Sequence, residues 1–543
     1  MDLIIKNGKI VDGTGNPWYK ADIGIENGKI VKIGHINKNQ AEKPSIDANG
    51  LIISPGFIDI HSHADATNFI NPRQESTIRQ GITTHIAGNC GYGLAPINPE
   101  RKDLVVKYLG DIVSSSDLLQ IEWKTFNEYL NKVEQFGIAS NMKFLVGHGV
   151  IRIAAMGFEN RAPNESELDI MKNHVREAME SGALGLSTGL LYPPGIFAKT
   201  DEIIALCNVV ADFNGYYFSH IRSYGGQLMK SIKEAIKIGE KSGTRVQISH
   251  ISVFGKPFWG SSDRVLQLLE KARAKGIEVN TDLHPYDSVM TDLMILLPPW
   301  AYEGGKVKTL ERLRTPQMRE KIKQEQINGP ENRDDWPEWA PVDLIGWDNI
   351  LVTLLKSEKY RHYEGKSIKE ISESENTDVF NALYDLLIEE QVEANMIITH
   401  LRGEEDIINF MKSPLAAFET DATPTAPYGI LSQGEPHPRG YGAYPKVLGE
   451  YVREKNVLSL EAAIRKCSSL PAQMTGIWDR GILREKFWAD IVIFNPDTII
   501  DKATYANPHQ YPKGIDYVII NGVIVINKGK HTEKLPGMVL RHQ

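Results

Sequence analysis

Cysteine is scarce in this chain of 543 residues. The three cysteines, Cys90, Cys207 and Cys467, are too few and too widely spaced for the disulfide framework of a small secreted protein. Cys207 and Cys467 lie in segments with helical periodicity, so we interpret both as core residues. Cys90 lies in the sequence Gly88-Asn89-Cys90-Gly91, so this thiol needs a separate explanation.

Long apolar runs and excess basic charge are also missing. No window of 18 apolar residues exists, which excludes a transmembrane helix of ordinary length. Residues 1–11 have the pattern of a strand with Lys6 inside it, unlike a signal peptide. The formal net charge of -8 offers no basic face for nucleic acid. We therefore expect a soluble, cytoplasmic protein that acts on a small molecule, without nucleic-acid or membrane partners, and leave its oligomeric state open.

Short alternating apolar and polar runs occur at both ends of the chain. Asn7-Gly8 and Asn27-Gly28 separate such runs within residues 1–54, and Asn521-Gly522 does so within residues 476–543. Asn-Gly is the preferred centre of a two-residue hairpin turn. Neither end is long enough to bury a two-faced sheet alone, so we predict one small β-sandwich domain built from both chain termini.

Residues 55–475 alternate short apolar runs with helical periodicity, which is the pattern of parallel βα units. The candidate strands are Gly56 to Ile60, Ile82 to Ala87, Lys143 to Val146, Ala183 to Ser187, Tyr216 to Ser219, Arg245 to Ser249, Ile277 to Thr281 and Ala416 to Glu419. Eight strands predict an α/β fold with a (β/α)8 TIM-like barrel. Residues 300–395, rich in Lys, Glu and Arg, are predicted to be a helical insertion. The sequence leaves open whether this insertion is a solvated addition or a lid over the substrate.

Residues with metal-binding or acid–base chemistry follow several of these strands. In a parallel barrel, functional side chains gather at the carboxyl ends of the strands. The first strand is followed by a His-x-His pair, whose two side chains share a face of the extended chain. The full set is His61 and His63 after the first strand, Cys90 after the second, His220 after the fifth, His250 after the sixth and Asp421 after the eighth. Each residue alone has an ordinary structural explanation, but the six together indicate one site.

A thiolate with two imidazoles and an open fourth position is typical of a catalytic zinc site. Such a zinc ion makes hydroxide available near neutral pH. The water must give its proton to a nearby carboxylate, and Asp421 is our candidate for this general acid and base. His61, His63 and Asp421 would also suffice for a second, weaker metal site, so the number of metal ions is left open.

Motifs spread along nearly the whole chain resemble those of the amidohydrolase superfamily and, within it, the N-acyl-D-amino-acid deacylases (D-aminoacylases). They include Pro55 to His63, Gly88-Asn89-Cys90-Gly91, Gln247 to His250, His437-Pro438-Arg439 and the closing Pro536 to Arg541. The resemblance implies a (β/α)8 barrel with a β-sandwich from both termini. It also implies zinc held tightly by Cys90, His220 and His250, a second position near His61, His63 and Asp421, and a substrate α-carboxylate held by Arg439 and Tyr286.

The expected activity is therefore zinc-dependent hydrolysis of the amide bond of N-acyl-D-amino acids. The sequence departs from the family at Thr420-Asp421-Ala422, where many relatives carry Ser-Asp-Gly, and at Ser252, where several carry Lys. Because residues 292–296 offer no basic side chain, a neutral or hydrophobic substrate side chain is favoured. His148 is expected to be a buried imidazole rather than part of the pocket. The alternatives are another carboxylated amide, such as a hydantoin-like cyclic amide or a dipeptide, and a non-catalytic assembly protein on the same scaffold.

Overall fold

The first seven strands of the chain belong to two β-sheets that share one apolar core. The computed structural model describes residues 1–36, 44–110, 112, 118–332, 336 and 345–542. The strands are β1 (Leu3–Lys6), β2 (Lys9–Ile10), β3 (Tyr19–Lys20), β4 (Asp22–Glu26), β5 (Lys29–Gly34), β6 (Ser45–Asp47) and β7 (Ile52–Pro55). One sheet has the order β5-β4-β1-β6, while β7, β2 and β3 belong to the other.

Parallel barrel strands alternate with helices from residue 57 onwards. The strands are β8 (Phe57–Asp59), β9 (Ile82–Ala87), β10 (Asn141–Phe144), β11 (Val146–Gly147), β12 (Gly185–Gly189), β13 (Tyr216–His220), β14 (Arg245–Ile248) and β15 (Val279–Leu283). The helices are α1 (Glu75–Ile78), α2 (Lys102–Leu109), α3 (Phe126–Phe136), α4 (His148–Met156), α5 (Glu165–Glu180), α6 (Thr200–Asp212), α7 (Leu228–Ser242) and α8 (Ser262–Ala274). The third predicted strand is present as β10 and β11, which are separated by Leu145 and pair with β9 and β12 respectively.

The seventh barrel strand lies two residues further along the chain than predicted. Gly276 has a φ of +85° and follows α8 in a Schellman motif, in which the Ile277 N–H donates to the Ala272 carbonyl at 3.1 Å. Ile277 therefore still belongs to the end of the helix. The shift brings Asp282 into β15, inside the barrel.

A second structural layer is inserted between the seventh and eighth barrel strands. It contains β16 (Val289–Asp292), α9 (Lys306–Arg314), α10 (Pro316–Asn328), β17 (Ile350–Thr353), α11 (Ile368–Ser374), α12 (Val379–Glu389) and β18 (Asn395–Ile398). The strands form an antiparallel sheet of order β16-β18-β17. The insertion is thus not only helical, because β18 pairs with both β16 and β17. These elements share an apolar core of their own.

The barrel is completed by α13 (Glu404–Lys412) and β19 (Ala416–Phe418), which pairs with β15. The closing contact with the first strand uses the residues that follow both strands. The Asp421 N–H donates to the His61 carbonyl at 2.9 Å, and the His63 N–H donates to the Ala422 carbonyl at 3.0 Å. This seam places Asp421 directly beside the His-x-His pair.

The last part of the chain returns to the sheets of the N-terminal region. It contains α14 (Arg439–Lys446), a π-helical continuation (Val447–Glu454), α15 (Leu460–Cys467), α16 (Ser469–Met474), β20 (Ile491–Phe494), β21 (Ile515–Ile520), β22 (Val523–Asn527) and β23 (Lys530–His531). β20 pairs antiparallel with β7, giving a seven-stranded sheet of order β23-β22-β21-β20-β7-β2-β3. The predicted fold class, a barrel with a β-sandwich from both termini, is confirmed.

The Asn-Gly dipeptides behave in two ways. Asn27-Gly28 and Asn521-Gly522 connect antiparallel strands, and each of these residues has a positive φ between 50° and 77°. Asn7-Gly8 instead lies where the chain leaves one sheet for the other, because β1 pairs with β4 and β2 pairs with β7.

Within the part of the chain that the structure describes, none of the helices combines the length and apolar character needed to span a bilayer.

Candidate metal centre and active site

Four side chains from different strands surround Cys90 at the carboxyl end of the barrel. Its Sγ lies 3.2 Å from His61 Nε2, 3.7 Å from His220 Nδ1 and 3.5 Å from His250 Nε2. His220 Nδ1 and His250 Nε2 are 3.0 Å apart. One ligand atom each of His61, Cys90, His250 and Asp421 lies within 4.8 Å of all the others. The structure therefore brings together residues that are far apart in the sequence.

The spacing of these atoms fits a tetrahedral metal site. Zinc bonds of about 2.3 Å to sulfur and about 2.0 Å to nitrogen place S and N roughly 3.5 Å apart, and two N atoms roughly 3.3 Å apart. The observed S–N separations of 3.2 to 3.7 Å bracket the first value, and the observed N–N separation is 3.0 Å. The donor set of one thiol and several imidazoles is also the set that zinc prefers. The residues present fit a bound zinc ion.

Three of these residues have a backbone conformation that is uncommon outside glycine. Cys90, His250 and Asp421 have φ angles of 54°, 37° and 46°. Left-handed backbone at residues other than glycine carries strain and is concentrated at functional sites. Three such residues fall within this one cluster.

Burial sets the protonation state of the metal-binding atoms. It lowers the pKa of His61 to about 3, and it does the same for His220. The pKa of His250 is also lowered well below its usual range, by burial and then by the neighbouring His220. Burial and the nearby Asp421 raise the pKa of Cys90 well above the usual value for a thiol. The protein without metal thus presents neutral imidazoles and a protonated thiol.

Asp421 lies between the imidazoles and a guanidinium group. Its Oδ1 is 3.3 Å from His63 Nε2 and 3.5 Å from His61 Nε2, while its Oδ2 is 2.7 Å from Arg439 Nη1. Burial alone would raise the pKa of Asp421, but the charged Arg439, together with the hydrogen bond to His63, outweighs burial and holds that pKa well below its usual range. Its side chain is 13% exposed, so an ionised carboxylate faces the cavity.

Two further buried carboxyl groups at the site were not among the predicted residues. Asp282 accepts a hydrogen bond from Gln247 Nε2 at 2.6 Å and another from the backbone N–H of His250. Its Oδ1 also lies 3.9 Å from His61 Nδ1, so its hydrogen-bonded contact with the cluster is through the backbone of His250. Burial raises the pKa of Asp282 to about 7 and that of Glu419 well above its usual range. An aspartate near the carboxyl end of a barrel strand was the available sequence signal for Asp282.

The cluster opens into a cavity of about 570 Å³. One wall is apolar and comes largely from the insertion and the loops that touch it, including Leu191, Phe254, Val289, Ile295, Leu354, Ile398 and Leu401. Arg439 is the only Arg or Lys among the described residues that line this cavity. The insertion is therefore part of the site wall, because Leu354 and Asn395 lie within the region predicted as an addition.

The other predicted residues occupy different positions. Tyr286 is buried but does not line the cavity, and its hydroxyl group donates to Asp501 at 3.4 Å. His284, two residues earlier, lines the cavity, and its Nε2 lies 3.3 Å from Arg439 Nη1. His148 is buried outside the cavity wall and contacts Glu202 at 2.8 Å. Cys207 and Cys467 are fully buried free thiols, in line with their interpretation as core residues.

The fold and the buried Cys-His-Asp cluster define a metal-dependent hydrolase class, and comparisons with known proteins agree. The sequence matches the amidohydrolase family over residues 45–326 and 417–526, and the chain belongs to that family. It is 31% identical to an N-acyl-D-glutamate deacylase of Alcaligenes xylosoxydans xylosoxydans, over 100% of this chain and 96% of that protein. It is 30% identical to a D-aminoacylase of the same organism, over 99% of this chain and 97% of that protein.

A solved structure supports the same family. The crystal structure of the N-acyl-D-glutamate deacylase from Bordetella bronchiseptica, complexed with zinc and a phosphonate mimic of the tetrahedral intermediate, is similar with a TM-score of 0.80 and 29% identity. The match covers 100% of this chain and 99% of that one. Within the amidohydrolases, the chain is a member of the N-acyl-D-amino-acid deacylase (D-aminoacylase) family.

Proposed function

We propose that this protein is a zinc-dependent hydrolase that cleaves the amide bond of N-acyl-D-amino acids to a carboxylate and a free D-amino acid. The observation that carries the proposal is the position of Asp421, between the imidazole cluster on one side and Arg439 on the other. That arrangement offers a metal position, a proton acceptor and a carboxylate-binding cation within one cavity. The names of the full-length relatives, which are deacylases of N-acyl-D-amino acids, support the same activity.

Cys90, His220 and His250 would hold the zinc ion tightly. Their mutual separations of 3.0 to 3.7 Å support this assignment. His61, His63 and Asp421 would form a second, weaker position. His61 Nε2 is close to both groups, at 3.2 Å from the Cys90 sulfur and 3.5 Å from the Asp421 carboxylate, which supports two neighbouring positions.

Zinc, when bound, supplies Lewis acidity that polarises the acyl carbonyl and lowers the pKa of water. Asp421 is ionised at neutral pH, so its Oδ1 is ready to take the proton of the attacking water. The same carboxyl group then gives a proton to the departing amide nitrogen. Oδ2 is paired with Arg439 in the protein without substrate, which leaves Oδ1 as the oxygen that takes the proton.

Arg439 would hold the α-carboxylate of the substrate, because a guanidinium group matches a carboxylate with two parallel hydrogen bonds. Its place on the cavity wall supports this role. Tyr286 was the other residue expected to bind the carboxylate. Since its hydroxyl group is bonded to Asp501, we assign it a packing role against His437, with ring centroids 5.2 Å apart.

The substrate side chain is proposed to be neutral or hydrophobic. The apolar wall offers van der Waals contact to such a group, and a second carboxylate would be buried without a cation of its own. Arg439 is already used for the α-carboxylate, and none of the other described residues that line the cavity is Lys or Arg. A cavity of about 570 Å³ leaves room for a bulky side chain or acyl group.

The test is amine release from a matched set of substrates by the zinc-loaded protein. We expect hydrolysis of N-acetyl-D-leucine at a rate well above that of N-acetyl-L-leucine and N-acetyl-D-glutamate, and no hydrolysis of hydantoin. Equal rates for both enantiomers contradict the stereochemical part of the proposal. If the protein hydrolyses hydantoin or a dipeptide but not N-acyl-D-amino acids, the proposed substrate class is wrong. If the protein cannot be loaded with zinc, a non-catalytic assembly protein is indicated instead.

A further inference from the structure

A chain of hydrogen bonds leads from the backbone of Arg439 to a tyrosine outside the barrel. The Arg439 N–H donates to His437 Nδ1 at 3.0 Å. The opposite ring nitrogen, His437 Nε2, lies 2.8 Å from Ser288 Oγ. Ser288 Oγ contacts the hydroxyl oxygen of Tyr505, which reaches Asp287 Oδ1 at 3.4 Å. Five polar groups thus form one continuous path.

The direction of this path follows from the donors at its start. A backbone N–H can only donate, so Nδ1 of His437 is an acceptor and the ring hydrogen is on Nε2. Burial and the nearby Arg439 hold the pKa of His437 well below its usual range, so the ring is neutral. His437 therefore donates to Ser288, Ser288 donates to Tyr505, and Tyr505 donates to Asp287. The carboxylate at the end accepts the last hydrogen bond.

The path fixes the start of the helix that carries the guanidinium group. Arg439 is the first residue of α14, where backbone N–H groups have no partner within the helix. His437 supplies the acceptor that the Arg439 amide needs. Its ring is also held edge-on by Tyr505 at 5.5 Å and by Tyr286 at 5.2 Å. The direction in which Arg439 enters the cavity thus depends on the orientation of His437.

Tyr505 comes from the segment between β20 and β21, in the C-terminal part of the β-sandwich. The same segment provides Asp501, which accepts from Tyr286, and His509, whose Nδ1 lies 2.8 Å from Tyr441 Oη on α14. It therefore reaches α14 and the residues beneath it at several points.

We propose that Tyr505 is a positioning residue for Arg439, acting through Ser288 and His437. The β-sandwich segment thereby sets the affinity of the cavity for the substrate carboxylate. This inference rests on the proposed function, in which Arg439 binds the α-carboxylate. Removal of the Tyr505 hydroxyl group leaves Ser288 without its acceptor and loosens His437, while the metal-binding residues keep all their contacts.

The experiment compares wild type with Tyr505→Phe in steady-state kinetics on N-acetyl-D-leucine. The KM is expected to rise about three- to tenfold, the effect of one hydrogen bond, with kcat and zinc content unchanged. The inhibition constant of N-acetyl-D-leucinamide, which lacks the carboxylate, stays at the wild-type value. Ser288→Ala breaks the same path and gives the same pattern. Tyr511→Phe is the matched control, since its hydroxyl group lies in the same segment but contacts Glu75 at 3.4 Å.

Wild-type constants in both Tyr505→Phe and Ser288→Ala would overturn the positioning role. A loss of kcat without a change in KM would also overturn it. So would an equal loss of affinity for N-acetyl-D-leucine, which has a carboxylate, and for the inhibitor N-acetyl-D-leucinamide, which lacks one. If Tyr505→Phe does not fold, Ser288→Ala decides the question. A wild-type enzyme with no activity on N-acetyl-D-leucine contradicts the proposed function itself, and the positioning role then falls with it.

Discussion

Arg439 Nη1 lies 2.7 Å from Asp421 Oδ2, so the only arginine among the described residues of the cavity wall forms an ion pair with the proposed proton-transferring carboxylate. The pair keeps Asp421 ionised, which suits a group that must first accept a proton. A substrate carboxylate that binds Arg439 competes for the same guanidinium group. We expect this competition to raise the pKa of Asp421 in the substrate complex, which favours its later role as an acid.

Arg439→Gln tests this link through the pH profile. Arg439 lowers the pKa of Asp421, so its removal raises that pKa, and the acidic limb of kcat/KM, where Asp421 becomes protonated, moves to higher pH. The KM for N-acetyl-D-leucine rises about 10- to 100-fold, because a charge-assisted, two-pronged contact is lost. Arg439→Lys keeps the charge and serves as the control, with a smaller shift of the limb. An acidic limb at the wild-type position in Arg439→Gln would refute the coupling.

Asp421→Asn tests proton transfer. The amide cannot take a proton from water or return it to the leaving nitrogen, so kcat falls by roughly 10²- to 10⁴-fold. Cys90, His220 and His250 keep their contacts, and zinc measured by atomic absorption should stay near the wild-type amount. Asp169→Asn, an exposed carboxylate on α5 with a side chain that is 63% exposed, is the control and should behave like wild type. A variant that retains kcat would assign the proton transfer to another group.

Zinc binding is expected to release about one proton per ion near pH 7. The imidazoles are already neutral, whereas the raised pKa of Cys90 keeps its thiol protonated until metal binds. Calorimetry in buffers with different ionisation enthalpies measures the released protons. Cys90→Ala should weaken zinc binding and abolish the release. Cys467→Ala, at a fully buried thiol away from the cavity, is expected to keep both, and loss of the release there would contradict this prediction.

The two ends of the chain should share one folding unit. Ile53 on β7 lies opposite Ile493 on β20, and both are fully buried. Either change to Ala is expected to reduce the free energy of unfolding by about 2–5 kcal/mol. Since the residues are neighbours, the double variant should lose less than the sum of the two single losses, as measured by denaturant unfolding. Additive losses would show that the two strands do not support one another.

The sequence predicted which residues form the site wherever the parallel order of the strands alone brings them together. His61, Cys90, His220, His250 and Asp421 follow strand ends, and a barrel brings strand ends together whatever the loops do. The direction of each side chain was beyond such reasoning. Tyr286, which follows the seventh strand, points away from the cavity, while His284, which the sequence analysis did not single out, lines it.

The two features that the sequence misplaced have different physical origins, one local and one long-range. Asp282 was overlooked because the Schellman motif after α8 delays the start of β15 by two residues. The strand β17 lies in a region with many charged residues, and its partner β18 comes from a later part of the insertion. Periodicity within a short window cannot report such partners.

The seam that closes the barrel uses the backbone of the same residues whose side chains are assigned to the chemistry. The Asp421 N–H is bonded to the His61 carbonyl, and the His63 N–H to the Ala422 carbonyl. An insertion or deletion of a single residue between 419 and 423 would therefore break the closure of the barrel and also misplace the Asp421 carboxylate. Natural variation in loop length should be rare at this junction, even where neighbouring loops differ freely, and protein engineers who seek new substrates should alter the insertion instead.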